Sequence, residues 1–277
     1  MSDLIYGKIF KILRCQKKYS LAYFEDSGIS KSNLSKFERG RIMLSFEKCD
    51  NILQKMNISL AEYELIMHQF APIYQESYLF ELEQAEFDLN KERLEDLYVE
   101  IKESDNKWLV YTAKVRHEGL MDFEIQEIVL FLKGIEQWGY FELSLLFAVL
   151  DLFSTKEIVS ILKDFEYKNR NYYSVLKYRR RIFQIVFRAA MILGCRGKET
   201  EARDILKLTL SPLKCDGIDF YIATIQKMTF GCLKYYFENS YEGRIEINRS
   251  LEIIQDLGGD TLLKYYKDRL NKLKIII

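Results

Sequence analysis

The amino-acid sequence predicts an all-α fold, in which an N-terminal bundle of short helices precedes a solenoid of helix pairs. Only two prolines occur among 277 residues, so the Pro-rich turns typical of an all-β protein are missing. Leu, Ile, Lys, Glu and Tyr are abundant, and apolar residues recur at helical spacing between short polar breaks. A hydrophobic content of 48% is enough for a substantial core and indicates two domains.

Charge is distributed unevenly along the chain, although its net charge is zero. Residues 1–41 contain nine Lys or Arg and four Asp or Glu, which gives this segment a net charge of +5. Residues 72–106 contain eleven acidic and three basic residues, a net charge of −8. A basic segment before an acidic body is typical of proteins that bind nucleic acid through the basic segment.

The stretch from Ser30 to Gly40 has the features of a short helix with a polar outer face. Ser30 is a favourable N-cap, and Gly40 is a favourable residue for ending a helix. Leu34 and Phe37 share one face with Ile29 and should be buried. The other faces carry Lys31, Ser32, Asn33, Ser35 and Lys36. Eight residues span about 12 Å, which matches the roughly 12 Å width of the DNA major groove. Taken alone, the stretch also fits an ordinary polar surface helix.

Four further short helices are predicted around this stretch. Residues 4–18 form the first, with an apolar stripe of Ile5, Ile9, Ile12 and Leu13. Ser20 caps the second, which Gly28 ends, and Ser45 and Ser59 cap the fourth and fifth. The inward-facing residues of these three helices are Leu21, Phe24, Phe46, Ile52, Leu53, Met56, Leu60, Tyr63, Ile66, Met67 and Phe70. Five short helices with a Gly turn before the third indicate a lambda-repressor-like helix-turn-helix domain.

Pro72 marks the predicted domain boundary, so we expect domains at 1–71 and 72–277. Polar and glycine-containing breaks divide the second domain into helix pairs and a last helix: 73–88 with 91–103, 107–118 with 123–137, 140–153 with 155–167, 172–194 with 198–210, 218–238 with 242–257, and 261–275. A spacing of about 35–45 residues suits a helical solenoid, although the strict tetratricopeptide consensus is absent. Stacked pairs leave a concave inner face on which an extended peptide can lie.

Three neighbouring segments carry a resemblance to a known family: LRCQKKYSLAYFEDSGI, SKSNLSKFERG and FEKCDNILQKMNISLAEYE. Together they resemble the helix-turn-helix head of the Rgg family of transcription regulators. The segment EQWGYFE, residues 136–142, is similar to an aromatic-Gly junction midway along the Rgg body. Elsewhere the resemblance is architectural. It implies a DNA-binding head joined to a tetratricopeptide-like body that senses a short peptide pheromone, as in quorum sensing.

The resemblance and the helix geometry together suggest which residues contact DNA. Four side chains of the third helix are expected in the major groove: Lys31, Ser32, Asn33 and Lys36. An Asn side chain can bond bidentately to adenine. Lys17, Arg39 and Arg41 are better placed for phosphates, which fix the register. Arg14 has two interpretations, direct DNA contact or an ion pair with Glu38 of the kind found in lambda-repressor-like domains.

The resemblance also suggests a peptide site in the body. Its candidate lining residues are Phe147, Asp151, Gln184, Phe187, Arg188, Gln226 and Thr229. Each of them also fits an ordinary role, either solvated or joined to one neighbouring helix by a hydrogen bond. If Asp151 faces the groove, its charge should repel an acidic peptide and favour a free amino terminus or a basic residue.

No pattern in the sequence indicates an enzyme or a metal site. His68 and His117 are isolated, with no acidic or thiol pair at ligand spacing, and no phosphate-binding Gly loop or nucleophile motif occurs. We therefore expect no cofactor. The cysteines lack CxxC spacing and no signal peptide is recognised, so reduced thiols of a cytoplasmic protein are expected. The longest apolar run, residues 143–150, is too short for a bilayer, which needs roughly 20 residues, and no membrane association is expected.

The sequence therefore predicts a transcription regulator that binds double-stranded promoter DNA as a homodimer. We expect its last helices, 242–275, to form the dimer interface and a short signalling peptide to control it. Two alternatives stay open: a helical-repeat scaffold that acts through a protein partner, and a DNA-binding regulator without a peptide ligand. The basic head disfavours the scaffold, because a docking module needs no basic helix face.

Overall fold

The computed structural model describes residues 3–68, 74–163, 165, 168, 174–210 and 219–277, without the side chains of residues 3, 4 and 208–210. All regular secondary structure in these ranges is helical, which confirms the predicted fold class. The chain forms two compact units, Met1–Tyr78 and Leu79–Ile277. The domain boundary predicted at Pro72 lies outside the described residues.

The first unit is a bundle of short helices around one core. In its described part the helices are α1 (Asp3–Gln16), a 3-10 helix (Leu21–Ser27), α2 (Lys31–Glu38), α3 (Phe46–Lys55) and α4 (Leu60–Met67). Ser30, Ser45 and Ser59 cap α2, α3 and α4 as predicted, because each hydroxyl accepts the backbone N–H three residues later. The core residues are Phe10, Leu13, Phe24, Ile29, Leu34, Phe37, Ile52, Leu53, Met56, Ile58 and Tyr63.

Helix α1 buries only part of the apolar stripe that the sequence indicated: Leu13 is buried and Ile9 packs against the core. Ile5 and Ile12 are 44% and 50% exposed, whereas Phe10 is completely buried. The cause is Gly7, which lies so close to α2 that an added Cβ would be 1.8 Å from the carbonyl oxygen of Phe37. The missing side chain lets the two helices touch, and this contact turns Gly7 and Phe10 inward.

Two other predictions in this unit are wrong, the capping bond of Ser20 and the inward position of Phe46. The second predicted helix is present as a 3-10 helix, Leu21–Ser27, but Ser20 makes no side-chain capping bond. Aromatic packing helps to hold this short segment, since the rings of Tyr19 and Tyr23 stack with centroids 4.4 Å apart. Phe46 is 75% exposed because it is the first residue of α3, ahead of the turns that reach the core.

The helices of the second unit lie close to the predicted pairs. They are α5 (Tyr74–Phe87, in this unit from Leu79 onward), α6 (Lys91–Ile101), α7 (Lys107–His117), α8 (Asp122–Gly134), α9 (Tyr140–Val149) with a 3-10 turn (Leu150–Leu152), α10 (Thr155–Leu162), α11 (Leu176–Cys195), α12 (Glu199–Leu210), α13 (Phe220–Phe237), α14 (Ser240–Asp256) and α15 (Asp260–Lys272). The predicted helix ends at 167, 172 and 218 lie outside the described residues.

The second unit packs as two layers of helices. The first helices of successive pairs are neighbours, since α7 contacts α9, α9 contacts α11, and α11 contacts α13. The second helices do the same, with α10 touching both α8 and α12. Helices α13 and α14 pack so closely that a Cβ added to Gly243 would lie 2.4 Å from the backbone nitrogen of Tyr235. This repeated side-by-side packing is that of a helical solenoid.

The aromatic-Gly segment at 136–142 joins α8 to α9. Trp138 is buried, and its Nε1–H donates to the carbonyl of Leu132 at 3.0 Å. Glu142 reaches back to accept the N–H of Gly139 at 2.8 Å, which caps the start of α9. The segment is therefore a structural junction that orients one helix pair on the next.

Candidate functional site

The outer face of α2 presents to solvent the side chains of Lys31, Ser32, Asn33 and Lys36. On the opposite face, Leu34 and Phe37 are completely buried in the core. The ammonium of Lys31 lies 3.9 Å from Glu25, and both side chains are more than half exposed, so this pair holds Lys31 only weakly. An apolar anchor with a free polar face is the arrangement that major-groove reading requires.

Three more cations of the first unit are exposed near this helix in the sequence: Lys17, Arg39 and Arg41. Arg39 is the C-cap of α2, and its Nε donates to the carbonyl of Ser35 at 3.0 Å. All three can reach an anion without losing a buried contact. They remain the candidates for phosphate contacts.

Arg14 is bound inside the first unit. Its Nε lies 2.5 Å and its Nη2 3.0 Å from the two carboxylate oxygens of Glu38, and its Nη1 donates to the carbonyl of Tyr19 at 2.6 Å. Hydrogen bonding to Glu38 raises the pKa of Arg14. Both side chains are buried. Of the two interpretations that the sequence left open, the structure contains the ion pair, which ties α1 to the end of α2.

Two cavities open between the first helices of the body pairs and α15. The first has a volume of about 580 Å³ and is lined by Gln184, Phe80, Glu83, Tyr140, Arg181 and Tyr221, among others. Gln184 donates to the hydroxyl of Tyr221 at 3.1 Å. Arg181 binds both carboxylate oxygens of Glu83, at 2.8 and 2.6 Å, and the hydroxyl of Tyr140 at 3.2 Å.

The second cavity has a volume of about 630 Å³ and contains a cluster of arginines and carboxylates. Asp151 accepts hydrogen bonds from Arg188, at 2.9 Å from its Nε, and from Arg269, at 2.8 Å from its Nη1. Arg116 donates to Glu86 at 2.7 Å. Burial alone would raise the pKa of Asp151, but Arg188 and Arg269 hold it well below its usual range. We call these five residues the arginine–carboxylate cluster.

Phe147 lies between the two cavities and does not face either of them. It is 4% exposed, and the guanidinium groups of Arg181 and Arg188 lie 4.7 and 4.6 Å from its ring centroid. These are cation–π distances, so the ring helps to position both arginines. Phe187 and Thr229 are also completely buried, and the Thr229 hydroxyl donates to the carbonyl of Ile225 at 2.8 Å.

The predicted peptide residues therefore fall into three groups. Asp151, Gln184 and Arg188 line the cavities. Phe147, Phe187 and Thr229 belong to the core and offer no surface to a ligand. Gln226 is half-buried on α13 and is not among the residues that line either cavity.

Comparison with known proteins places this geometry in a family. Residues 72–268 match the C-terminal domain of the HTH-type transcriptional regulator Rgg, and residues 10–63 match a helix-turn-helix model. The chain belongs to the Rgg family. Its head is therefore the DNA-binding domain of a transcription regulator, and the family is one of regulators rather than enzymes.

Solved structures share the whole fold of this Rgg chain. One is Rgg2 of Streptococcus dysgalactiae, an SHP pheromone receptor, which is 23% identical with a TM-score of 0.77 over 96% of this chain and 99% of that one. A protein of Listeria monocytogenes EGD-e is 14% identical with a TM-score of 0.77 over 97% of each chain. The PrgX/cCF10 complex is 14% identical with a TM-score of 0.68 over 97% of this chain and 99% of PrgX.

The sequence argument about Asp151 in this Rgg chain needs correction. It treated Asp151 as an uncompensated acid, but two arginines bind its carboxylate. The second of them, Arg269, is 118 residues away in the sequence. The cavity therefore does not repel an acidic ligand through Asp151.

Sequence reasoning missed most of the cavity residues, although one signal was present. Glu83 and Glu86 are three residues apart on α5, and Arg181 and Arg188 are seven apart on α11, so each pair lies on one helix face. Matching acidic and basic pairs on mostly apolar helices indicate ion pairs between those helices. Arg269 carried no comparable signal.

None of the helices in the described ranges combines the length and apolar character needed to cross a membrane.

Proposed function

We propose that this Rgg-family regulator binds a specific promoter site as a homodimer, and that a short peptide held in the body controls this binding. In this proposal residues 1–71 bind DNA, and residues 72–277 bind the peptide and form the dimer. The observation that carries the DNA part is the exposed polar face of α2 on a buried apolar anchor.

On DNA, the first turns of α2 enter the major groove with Lys31, Ser32, Asn33 and Lys36. Asn33 is exposed, and its amide can bond bidentately to an adenine, with the nitrogen donating to N7 and the oxygen accepting from N6–H. Lys17, Arg39 and Arg41 bind phosphates on either side and set the register. Arg14 and Glu38 act indirectly, because their ion pair holds α2 in position.

A dimer follows from the small size of α2. A helix of eight residues reads only a few base pairs, and two copies related by a twofold axis read two half-sites about one helical turn apart. The predicted interface lies in helices α14 and α15. Tyr241 and Leu257, near the two ends of α14, are each 71% exposed and are therefore free to contact a second protomer.

The peptide is proposed for the two body cavities. They are lined mainly by the first helices of the pairs, α5, α7, α9, α11 and α13, together with α6 and the last helix, α15. Rgg2, which has the same fold, is described as an SHP pheromone receptor, and another structure of this fold is described as a bacterial peptide pheromone/receptor complex. A peptide that contacts several repeats favours one curvature of the solenoid and so shifts the population of head arrangements in the dimer.

Genome-wide DNA capture with the purified full chain tests the proposal. We expect one or a few enriched sites, each an inverted repeat with half-sites about one helical turn apart. The Asn33→Ala variant should lose the enrichment, while Asn51→Ala, which changes an exposed asparagine on α3, should retain it. Absence of any enriched site would contradict specific DNA binding and favour a scaffold that acts through a protein partner.

Peptides encoded beside the captured sites then test whether a peptide controls DNA binding. The expected result is a shift of at least about fivefold in the affinity of the protein for its site, the lower range of allosteric coupling. If a peptide that binds the protein leaves this affinity unchanged, peptide control is wrong and DNA binding stands.

A further inference from the structure

The carboxylate of Glu25 lies beside the helix that is proposed to read DNA. Its Oε2 is 3.9 Å from the ammonium of Lys31, the first residue of α2, and the side chains of Glu25 and Lys31 are 51% and 57% exposed. In the part of the chain that the structure describes, Lys31 is the one exposed cation proposed to contact DNA that has a carboxylate within 4 Å. The exposed cations proposed to contact DNA are Lys17, Lys31, Lys36, Arg39 and Arg41.

The residues on either side of Glu25 fix its position. Glu25 belongs to the 3-10 helix Leu21–Ser27, in which the preceding residue, Phe24, is completely buried in the core. The following residue, Asp26, forms an ion pair with Lys55 near the end of α3. Because both neighbours are held against the rest of the unit, the backbone of Glu25 cannot move away from the start of α2 as a free loop would.

A carboxylate at this place affects two kinds of DNA complex differently. Sequence-independent affinity depends on how many cations neutralise phosphates, and Glu25 both offers Lys31 another partner and repels an approaching phosphate. An exposed ion pair is weak, so a well-placed base acceptor such as O6 or N7 of guanine can replace Glu25 at a matching site. Glu25 therefore weakens the contacts that any DNA can make more than the contact that the correct site makes.

We propose that Glu25 is a specificity-determining residue, which keeps Lys31 from adding to the sequence-independent binding of phosphates. In the free protein and on random DNA, Lys31 pairs with Glu25. At the specific site, the ammonium of Lys31 turns from Glu25 to a base edge in the major groove. Glu25 acts through Lys31 and makes no contact with DNA itself. This inference rests on the proposed binding of DNA by α2.

The Glu25→Gln variant of the full chain tests this role, with its affinity measured for the captured site and for a scrambled duplex across a salt series. Affinity for the scrambled duplex should rise at least about fourfold, about twofold from each head of a dimer, as expected for an exposed ion pair. Its salt slope should become steeper by up to about 2, because each freed Lys31 can neutralise one more phosphate. Affinity for the captured site should rise less than about twofold, so the ratio of the two affinities should fall.

Asp26→Asn is the matched control, because it removes the same charge at the next residue, where the carboxylate pairs with Lys55 instead of Lys31. Its affinity for the scrambled duplex should change by less than about twofold. In a chain that already carries Lys31→Gln, the Glu25→Gln change should likewise have less than about a twofold effect, since the partner through which it acts is gone. A gain in affinity confined to one variant cannot come from misfolding, which weakens binding to both duplexes.

The outcomes separate this inference from the proposed function. Equal gains in Glu25→Gln and Asp26→Asn would assign the effect to net charge and overturn the role of Glu25, as would a full gain in the chain that lacks Lys31. If Glu25→Gln leaves both affinities and the salt slope unchanged, the inference is wrong, while the site preference of the unaltered chain still supports specific DNA binding. If the unaltered chain binds neither duplex at low salt, the proposed DNA binding fails, and this inference fails with it.

Discussion

Arg14 and Glu38 are buried partners, so removing one leaves the other charge without compensation. Their guanidinium and carboxylate are joined by two hydrogen bonds inside the first unit. We expect Glu38→Ala to destabilise the first unit by about 3–5 kcal/mol, the usual cost of breaking such a pair. Hydrogen exchange of peptides from residues 3–68 in increasing urea measures this change in the full chain.

Asn33→Ala is the matched control for this prediction, because the Asn33 side chain is exposed and should contribute less than about 0.5 kcal/mol. A Glu38 variant as stable as the Asn33 variant would show that the ion pair does not hold α2. DNA affinity then separates the structural role of Glu38 from the DNA-contact role of Asn33, since Asn33→Ala should weaken specific binding without any loss of stability.

Asp151 and Glu86 should make the body sensitive to acid. Burial alone would raise both pKa values, but the surrounding arginines hold them below the ordinary carboxyl range. The stability that these groups contribute is therefore complete above the unfolded-state pKa of about 4, and it is lost as the pH falls through the folded-state values. We expect the free energy of unfolding to fall from about pH 5 downward.

Thermal unfolding followed by tryptophan fluorescence checks this pH dependence, because Trp108 and Trp138 both lie in the second unit. The Asp151→Asn variant should lose stability less steeply than the unaltered chain between about pH 5 and pH 3. Parallel curves for the two proteins would mean that Asp151 does not titrate with a lowered pKa.

At the scale of elements, the contact between α1 and α2 depends on the absence of a side chain at Gly7. A Cβ there would lie 1.8 Å from the carbonyl oxygen of Phe37, so one helix must shift. Gly7→Ala should destabilise the first unit by at least about 1–3 kcal/mol, the range of overpacked cores. Gly134→Ala is the control, because the added Cβ meets nothing within 4 Å. The stability of this variant should change by less than about 1 kcal/mol. Urea unfolding of the two variants compares them, and equal stability would contradict the close helix contact.

Helix positions and caps could be predicted because they depend on residues close in the sequence. Ser30, Ser45 and Ser59 each bond a backbone N–H only three residues away, so their signals are complete in the sequence. The face that α1 buries could not be predicted in this way. Apolar periodicity favoured Ile5 and Ile12, while the deciding contact depends on how closely another helix approaches.

At the scale of the whole molecule, the fold was predictable from the sequence and the arginine–carboxylate cluster was not. Repeated helix pairs follow from local spacing, but the contact between Asp151 and Arg269 joins residues 118 positions apart. That contact depends on the path of the whole solenoid, in which small rotations between repeats accumulate. Periodicity within single helices carries no information about that path.

In the proposed dimer, the positive charge of each DNA-binding head should make DNA binding strongly dependent on salt. If Lys17, Arg39 and Arg41 bind phosphates in each head of a dimer, the logarithm of the affinity should fall against the logarithm of the salt concentration with a slope of about −5. Lys17→Gln should reduce the steepness of this slope by about 2, one contact per head, without changing preference among sequences. A slope near zero would contradict phosphate binding by these residues.

The most direct test of the account is the affinity of the full chain for its captured site relative to a scrambled duplex at fixed salt. We expect a ratio of at least about 1,000 for the unaltered protein and for Asn51→Ala. Asn33→Ala should lower the ratio about tenfold or more by weakening only the specific complex, because one bidentate base contact is worth about 1–3 kcal/mol. A ratio unchanged by Asn33→Ala would contradict base reading by α2.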